Sequence, residues 1–401
     1  MPAQQAWPRV PMGSVYAGLY DGPHATPKPS DKGPVFLGIG NITEDGHLDL
    51  STVRHIAEDD FSSWTRRVQP RAGDIVFAYE AALNRYAIIP DGFLGCLGRR
   101  LALIRPDPLK TDGRFLFYYF FSEDWRRTIA RNTLSGATVD RIPLTRFPQF
   151  EISQPPLVTQ RRIADILSAY DDLIENNSRR IAILEEMARS LYREWFVNFR
   201  FPGHEDVEMI GSPIGAIPAC FEPGRLDQAV ELQRGFDLPT GQRELGKVPI
   251  YASTGVVGFH SVTKVNGPGV ITGRSGSLGT VLYADRDFWP LNTTLWVREF
   301  RRSSPLHAFH LLSLLDFAGF NSGAAVPTLN RNDVHGLPLA LPPITLIARF
   351  DEMVQPFFSL IGNLTQRNNV LRQTRDLLLP RLISGELSLE VAEEELAAVG
   401  S

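Results

Sequence analysis

Residues 155 to 196 read PPLVTQRRIADILSAYDDLIENNSRRIAILEEMARSLYREWF, and the spacing within them decides the architecture of the chain. Ile163, Leu167, Tyr170, Ile174, Asn177, Ile181, Leu184, Ala188, Leu191 and Trp195 recur at alternating steps of four and three residues. That is the seam of a helix packed along one partner helix. Charged residues such as Arg161, Asp165, Asp172, Glu175, Arg179 and Glu186 stay off the seam. Pro155 and Pro156 suit the entry to a helix, not its interior. The stretch therefore predicts a long, solvated helix that needs a second helix to cover its seam.

The chain supplies one. Residues 342 to 382 read PPITLIARFDEMVQPFFSLIGNLTQRNNVLRQTRDLLLPRL, and a constant offset of 187 residues carries Pro155 onto Pro342, Arg162 onto Arg349, Ile174 onto Ile361, Leu184 onto Leu371 and Leu191 onto Leu378. The same offset places Ser135, Gly136, Ala137 and Val139 on Ser322, Gly323, Ala324 and Val326. The repeated unit is thus a globular segment followed by a helix. Two such units close compactly about a pseudo-twofold axis if the helices run antiparallel. The register then puts Ile163 against Leu382, Asn177 against Asn368, and Tyr170 against Arg375, with the cation on the ring.

At 401 residues, 43% hydrophobic and 10% aromatic, the chain can fill two or three cores. No run of about 18 apolar residues spans a membrane and no secretory signal pattern opens the chain, so a cytoplasmic protein is expected. Cys96 and Cys220 are far apart and read as ordinary buried cysteines, with neither a disulfide framework nor a thiolate metal site. The net charge of −4 hides an uneven distribution, since Arg99 to Arg146 holds ten basic residues against five acids. The acidic end, with Glu386, Glu390, Glu393, Glu394 and Glu395, is expected to fray.

Between Trp7 and Gln154, short β-type runs (35–39, 74–78, 87–89, 101–104) alternate with Gly, Pro and Asp turns, and a helix is expected from Arg114 to Arg131. A second globular segment, about 221–341, follows a Pro/Gly linker and repeats this layout. There 270–281 stands in the place of 75–86, and 306–317 in the place of the helix near Arg114. A shared scaffold with different loop side chains suits two domains that read different ligands.

Several motifs invite catalytic readings. Phe36-Leu-Gly-Ile-Gly40 fits the F-x-G-x-G pattern of methyltransferases, but Gln154-Pro-Pro-Leu157 lacks the side chains that would hold a target amine. Gly273-Arg-Ser-Gly-Ser-Leu-Gly-Thr280 lacks the G-K-[ST] ending of a phosphate loop and reads as a turn able to meet a DNA backbone or base edge, or as a plain structural hairpin. The eight histidines form no HExxH or HxH cluster, and His307 and His310, on one helix face, read as structural.

The order domain, helix, domain, helix resembles the specificity subunit of type I restriction-modification systems over nearly the whole chain. The residues that carry the resemblance are Q-R-x-I-A-x-I-L-S at Gln160 to Ser168, L-Y-R-E-W-F at Leu191 to Phe196, G-R-x-G-S-L-G-T-V at Gly273 to Val281, W-P-L-N-T-T at Trp289 to Thr294, and L-I-S-G-E-L at Leu382 to Leu387. It implies an α+β protein of two mixed target-recognition domains (1–154 and 201–341). Two long helices (155–200 and 342–384) would form an antiparallel coiled coil, followed by an acidic tail (385–401). It implies a non-catalytic subunit without cofactor or metal that reads a bipartite site on double-stranded DNA. Its partners would be modification methyltransferase subunits and a restriction/translocase subunit. Candidate DNA contacts are Tyr79, Asn84 and Arg85 in the first domain and Arg274, Ser277 and Thr280 in the second. A helix spanning Ile163 to Trp195 is about 50 Å long at ~1.5 Å per residue, which bounds the half-site separation at roughly 15 base pairs. A DNA methyltransferase in its own right and a protein-only scaffold of two adaptor domains remain as alternatives.

Overall fold

The computed structural model describes residues 7–136, 139–320 and 328–400. Its contacts divide into two compact units, one of Met1–Asn176 with Asn368–Ser401 and one of Asn177–Arg367. The heptad stretches form two long helices, Leu157–Tyr192 and Ile344–Ile383, each starting directly after its Pro-Pro pair. The first ends in a π turn, Arg193–Val197. Each helix contributes residues to both units.

Unit 1 carries strands β1 (Arg9–Pro11), β2 (Tyr16–Asp21), β3 (Ser30–Leu37), β4 (Arg54–His55), β5 (Ile75–Ala78), β6 (Tyr86–Ile88), β7 (Gly95–Leu97), β8 (Leu101–Pro106) and β9 (Glu151–Ser153). They form an antiparallel sheet β2-β8-β5-β6, a mixed sheet β4-β3-β7 whose β3/β7 pair is parallel, and a β1-β9 pair. Unit 2 carries β10 (Met209–Ser212), β11 (Gly215–Pro218), β12 (Glu222–Arg225), β13 (Val230–Arg234), β14 (Val248–Ala252), β15 (Gly255–His260), β16 (Gly269–Gly273), β17 (Val281–Ala284), β18 (Trp289–Pro290), β19 (Thr294–Phe300) and β20 (Pro338–Leu341). Their orders are β13-β19-β16-β17, β15-β14-β18 with a parallel β14/β18 pair, and β12-β20. Apart from the added β10-β11 hairpin, unit 2 repeats the topology of unit 1 strand for strand. Four of the seven residues expected to carry the repeat into the loops, Ala137, Ser322, Gly323 and Ala324, lie outside the described residues, as does Val326.

The single helix expected from Arg114 to Arg131 is two. Asp112 caps Gly113–Tyr119 by accepting from the Arg114 and Phe115 amides, and Ser122 restarts the chain as Glu123–Asn132 by accepting from the Trp125 amide. A second cap breaks the helix because a serine side chain satisfies an amide that the preceding turn would otherwise serve. The break turns Trp125 fully into the core, where its Nε1 donates to the Tyr86 hydroxyl at 2.8 Å and its ring lies 4.9 Å from Phe120.

In unit 1 the helix segments bury the predicted seam. Ile163, Leu167, Tyr170 and Ile174 share a core with Leu371, Leu378 and Leu382. They run antiparallel there: Arg375 bonds Asp171, and further along Asn368 Nδ2 donates to the Ile174 carbonyl at 3.3 Å. Arg375 thus meets a carboxylate next to Tyr170 and not the Tyr170 ring, because a guanidinium leaving water gains more from a charged, hydrogen-bonding partner than from a ring face. The acidic end does not fray. Leu389–Gly400 is a helix, and Arg162 donates to Glu393 at 3.0 Å and Glu390 at 3.1 Å. Cys96 is buried as expected, but Cys220 is exposed, since its turn buries the flanking Ile217 and Phe221 instead. No helix of the described residues is long and apolar enough to cross a membrane.

Candidate nucleic-acid interface

The two candidate loops are the hairpin turns β5-β6 and β16-β17, and they share one backbone frame. The Tyr79 amide donates to the Arg100 carbonyl (3.2 Å), and the Arg274 amide to the Thr293 carbonyl (2.9 Å), in each case tying the hairpin to the turn before the long return strand. The Ile142 amide donates to the Tyr79 carbonyl (2.7 Å), and Leu329, 187 residues later, donates to the Arg274 carbonyl (2.8 Å). Two positions in each turn are left-handed: Ala81 (φ 72°) and Asn84 (φ 62°) in unit 1, Gly276 (φ 88°) and Gly279 (φ 84°) in unit 2. Leu83 and Leu278, between them, pack on their respective cores. A side chain at Gly273 would meet the Ser277 carbonyl at 1.8 Å, so the unit 2 turn closes only around glycine.

On this shared frame the side chains diverge. Tyr79 is buried, and its hydroxyl donates to the Arg99 carbonyl at 3.0 Å, so it braces the neighbouring turn from within and does not offer its ring to a ligand. Asn84 is half-buried, its Oδ1 accepting from the Tyr86 hydroxyl at 3.5 Å. Arg85 is held by Glu44 Oε1 (3.1 Å) and the Ile42 carbonyl (3.3 Å), which neutralises much of its charge. Arg274 and Thr280 are half-exposed and Ser277 is fully exposed.

Sequence reasoning missed the residues around these loops. In unit 1, Arg54, Arg99 and Arg100 line a recess of about 200 Å³ beside the turn that Tyr79 braces. The buried Arg100 Nε has no hydrogen-bond partner among the described residues. In unit 2 a groove of about 750 Å³ brings Arg234, Arg274, Arg298 and Arg331 together with Asn330 and a single carboxylate, Asp237. Arg298 is paired with Glu231 at 3.2 Å, and Asp237 accepts from Asn292. Arrays of guanidinium groups with few counter-charges attract polyanions and suit phosphate and guanine edges.

The methyltransferase-like motifs are occupied by structure. Phe36 packs edge-on against Trp64 at 5.7 Å, the Gly38 amide is taken by Asn41 Oδ1 at 2.8 Å, and the Gln154 amide donates to the Lys110 carbonyl at 2.8 Å. His307 and His310 are buried among Tyr192, Phe196 and Phe350. Burial pushes their imidazoles down to about 3 and about 4, so both stay neutral.

Residues 36–186 match the family model of the type I restriction modification DNA specificity domain. Over 366 residues the chain is 25% identical to the type I restriction enzyme MjaIX specificity subunit of Methanocaldococcus jannaschii, covering 84% of this chain and 82% of that one. Over 172 residues it is 24% identical to the type I restriction enzyme HindI specificity subunit of Haemophilus influenzae, covering 41% of this chain and 36% of that one. Its fold is similar to that of the type I restriction-modification S subunit of M. genitalium in a crystal structure, with a TM-score of 0.60 at 17% identity over 95% of this chain and 97% of that one.

Proposed function

We propose that this chain, which carries the type I specificity domain and resembles type I specificity subunits in sequence and fold, is the non-catalytic DNA-reading subunit of a type I restriction-modification complex. It recognises a bipartite site on double-stranded DNA, one half through each unit. It docks modification methyltransferase subunits and a restriction/translocase subunit, which supply the chemistry. The observation that carries this reading is the shared hairpin frame: two turns with the same backbone bonds and the same left-handed positions present Tyr79, Asn84 and Arg85 in one unit and Arg274, Ser277 and Thr280 in the other. A frame duplicated this closely, with side chains that differ, is what two readers of two sequences require. The basic recess and groove beside the turns supply the sequence-independent attraction for phosphate. Within unit 1, Tyr79 supports the reading surface indirectly, through the Arg99–Arg100 turn, and the contact role falls to Asn84, Arg85 and the two arginines it braces.

Selection of bound duplexes from a randomised library, using the purified chain, tests the proposal. The expected outcome is two short motifs held at a fixed spacing of at most about 16 base pairs, the span of a 36-residue helix at ~1.5 Å per residue. Binding should weaken steeply with salt. A contiguous single motif, or binding indifferent to salt, would contradict it. Micromolar adenosylmethionine binding by the chain alone would favour a methyltransferase instead.

A further inference from the structure

The groove of unit 2 is assembled from segments far apart in the chain: the end of β13, the first residue of the β16-β17 turn, the middle of β19, and the stretch from Thr328 to Arg331. Among the described residues, no carboxylate pairs with Arg234, Arg274 or Arg331, whereas Arg298 is spent on Glu231. The three differ in how they are held. Arg234 and Arg331 are exposed, one at a strand end and one at the first position of the short helix Arg331–His335. Arg274 is half-buried, and its backbone is fixed on both sides by the bonds to Thr293 and Leu329. Its side chain therefore starts from a defined point inside the groove, while the other two reach in from the walls.

A planar guanidinium with five donors matches the O6 and N7 acceptors of guanine in a bidentate fashion, and it does so selectively only when its origin is fixed. Guanidinium groups on mobile walls match phosphate oxygens, which recur along any strand. We infer that the unit 2 groove reads a guanine in its half-site through Arg274, with Arg234 and Arg331 as phosphate contacts on either side. The inference rests on the DNA-recognition reading given above. Gly276 and Gly279, left-handed and free of side chains, let the turn behind Arg274 approach the duplex closely.

The test compares the full chain with Arg274→Ala, Arg274→Lys and the double variant Arg234→Ala/Arg331→Ala. It uses duplex selection followed by affinity measurement over a salt series, with thermal melting as a check of folding. For Arg274→Ala the expected result is the loss of a G·C preference at one position of one half-site, a discrimination of about 5- to 150-fold, with the other half-site intact. Arg274→Lys should keep affinity and lose most of that discrimination, since an ammonium cannot make the bidentate match. The double variant should bind every sequence more weakly and lower the salt slope by about two. If the wild-type chain selects a bipartite motif and Arg274→Ala selects the same one, or loses a position that is not G·C, this assignment alone is overturned. If the wild-type chain selects no motif and shows no salt-dependent duplex binding, the DNA-recognition reading falls and the assignment with it.

Discussion

At the scale of single residues, buried polar groups fix the fold and give the sharpest expectations. Gln160, which opens the first heptad stretch, has no exposed surface; its Oε1 accepts from the Thr111 hydroxyl (2.9 Å) and the Asp112 amide (3.0 Å), and its Nε2 donates to the Pro155 carbonyl (2.8 Å). Gln160→Leu would strand two donors and one acceptor, and should cost about 2–4 kcal/mol in chemical denaturation. The histidine pair gives a pH dependence. The folded-state values of about 3 and about 4 lie below the unfolded value of ~6.5, so the unfolded chain binds protons that the folded chain refuses. The contribution is fully present above pH ~6.5 and is lost as pH falls, at up to ~1.4 kcal/mol per pH unit for each imidazole. His310→Phe should remove one of these protons, and the wild-type-minus-variant stability should change between pH 6.5 and 4.5 with that slope; a flat difference would show the imidazole is not held neutral. Ala81 occupies the left-handed position where unit 2 has Gly276. Ala81→Gly should therefore stabilise the chain by several tenths to ~1 kcal/mol, the reverse of the usual cost of glycine. Sequence could suggest which loop holds a site but not which side chains turn inward. Tyr79 and Arg274 occupy equivalent positions, one in the core and one in a groove, and only tertiary packing separates them.

At the scale of elements, the two long helices and their start points were legible because a buried seam imposes its period on the sequence, and Pro-Pro marks where a helix can begin. The strand runs were legible for the same reason of alternating burial, and the repeat offset of 187 recurs as a backbone bond, Ile142 to Tyr79 and Leu329 to Arg274. What sequence missed came from local side-chain chemistry and long-range assembly. Ser122 restarts a helix that periodicity alone would run through, and the C-terminal helix is docked by Arg162 from more than 200 residues away. The arginines of the unit 2 groove are brought together by strand order. The Tyr118–Asp171–Arg375 contact joins helix Gly113–Tyr119 to both long helices within unit 1: the Tyr118 hydroxyl donates to Asp171 Oδ2 at 2.5 Å, and Arg375 bonds Oδ1. Asp171 and Arg375 are largely shielded, with side-chain exposures of 22% and 15%, so their interaction is less screened than a surface pair. A double-mutant cycle of Asp171→Ala and Arg375→Ala should give a coupling of about 1–3 kcal/mol. Coupling near zero would mean that the antiparallel register in unit 1 is set by the apolar seam alone.

At the scale of the whole molecule, duplication is the feature from which function follows. Each unit builds its own sheets and its own core, and the topology of one is repeated in the other, so a change of reading surface in one unit need not disturb the other's core. Selectivity for a long DNA site then comes from adding two short readings, and new sites arise by exchanging one domain while the helices are kept. The prediction follows from this independence. Replacing 221–341 with the corresponding segment of a relative of different specificity keeps both long helices intact apart from the linker joined to them. Bipartite selection on the hybrid should return one half-site changed to that of the donor and the other half-site as in the parent, with the spacing between them unaltered. The groove arginines should travel with the exchanged segment, so the G·C position assigned to Arg274 should disappear unless the donor carries an arginine at the first residue of the same turn. A hybrid that changed both halves would mean that the two units do not read separately. A hybrid that kept both halves would mean that the β16-β17 turn and its groove do not face the DNA.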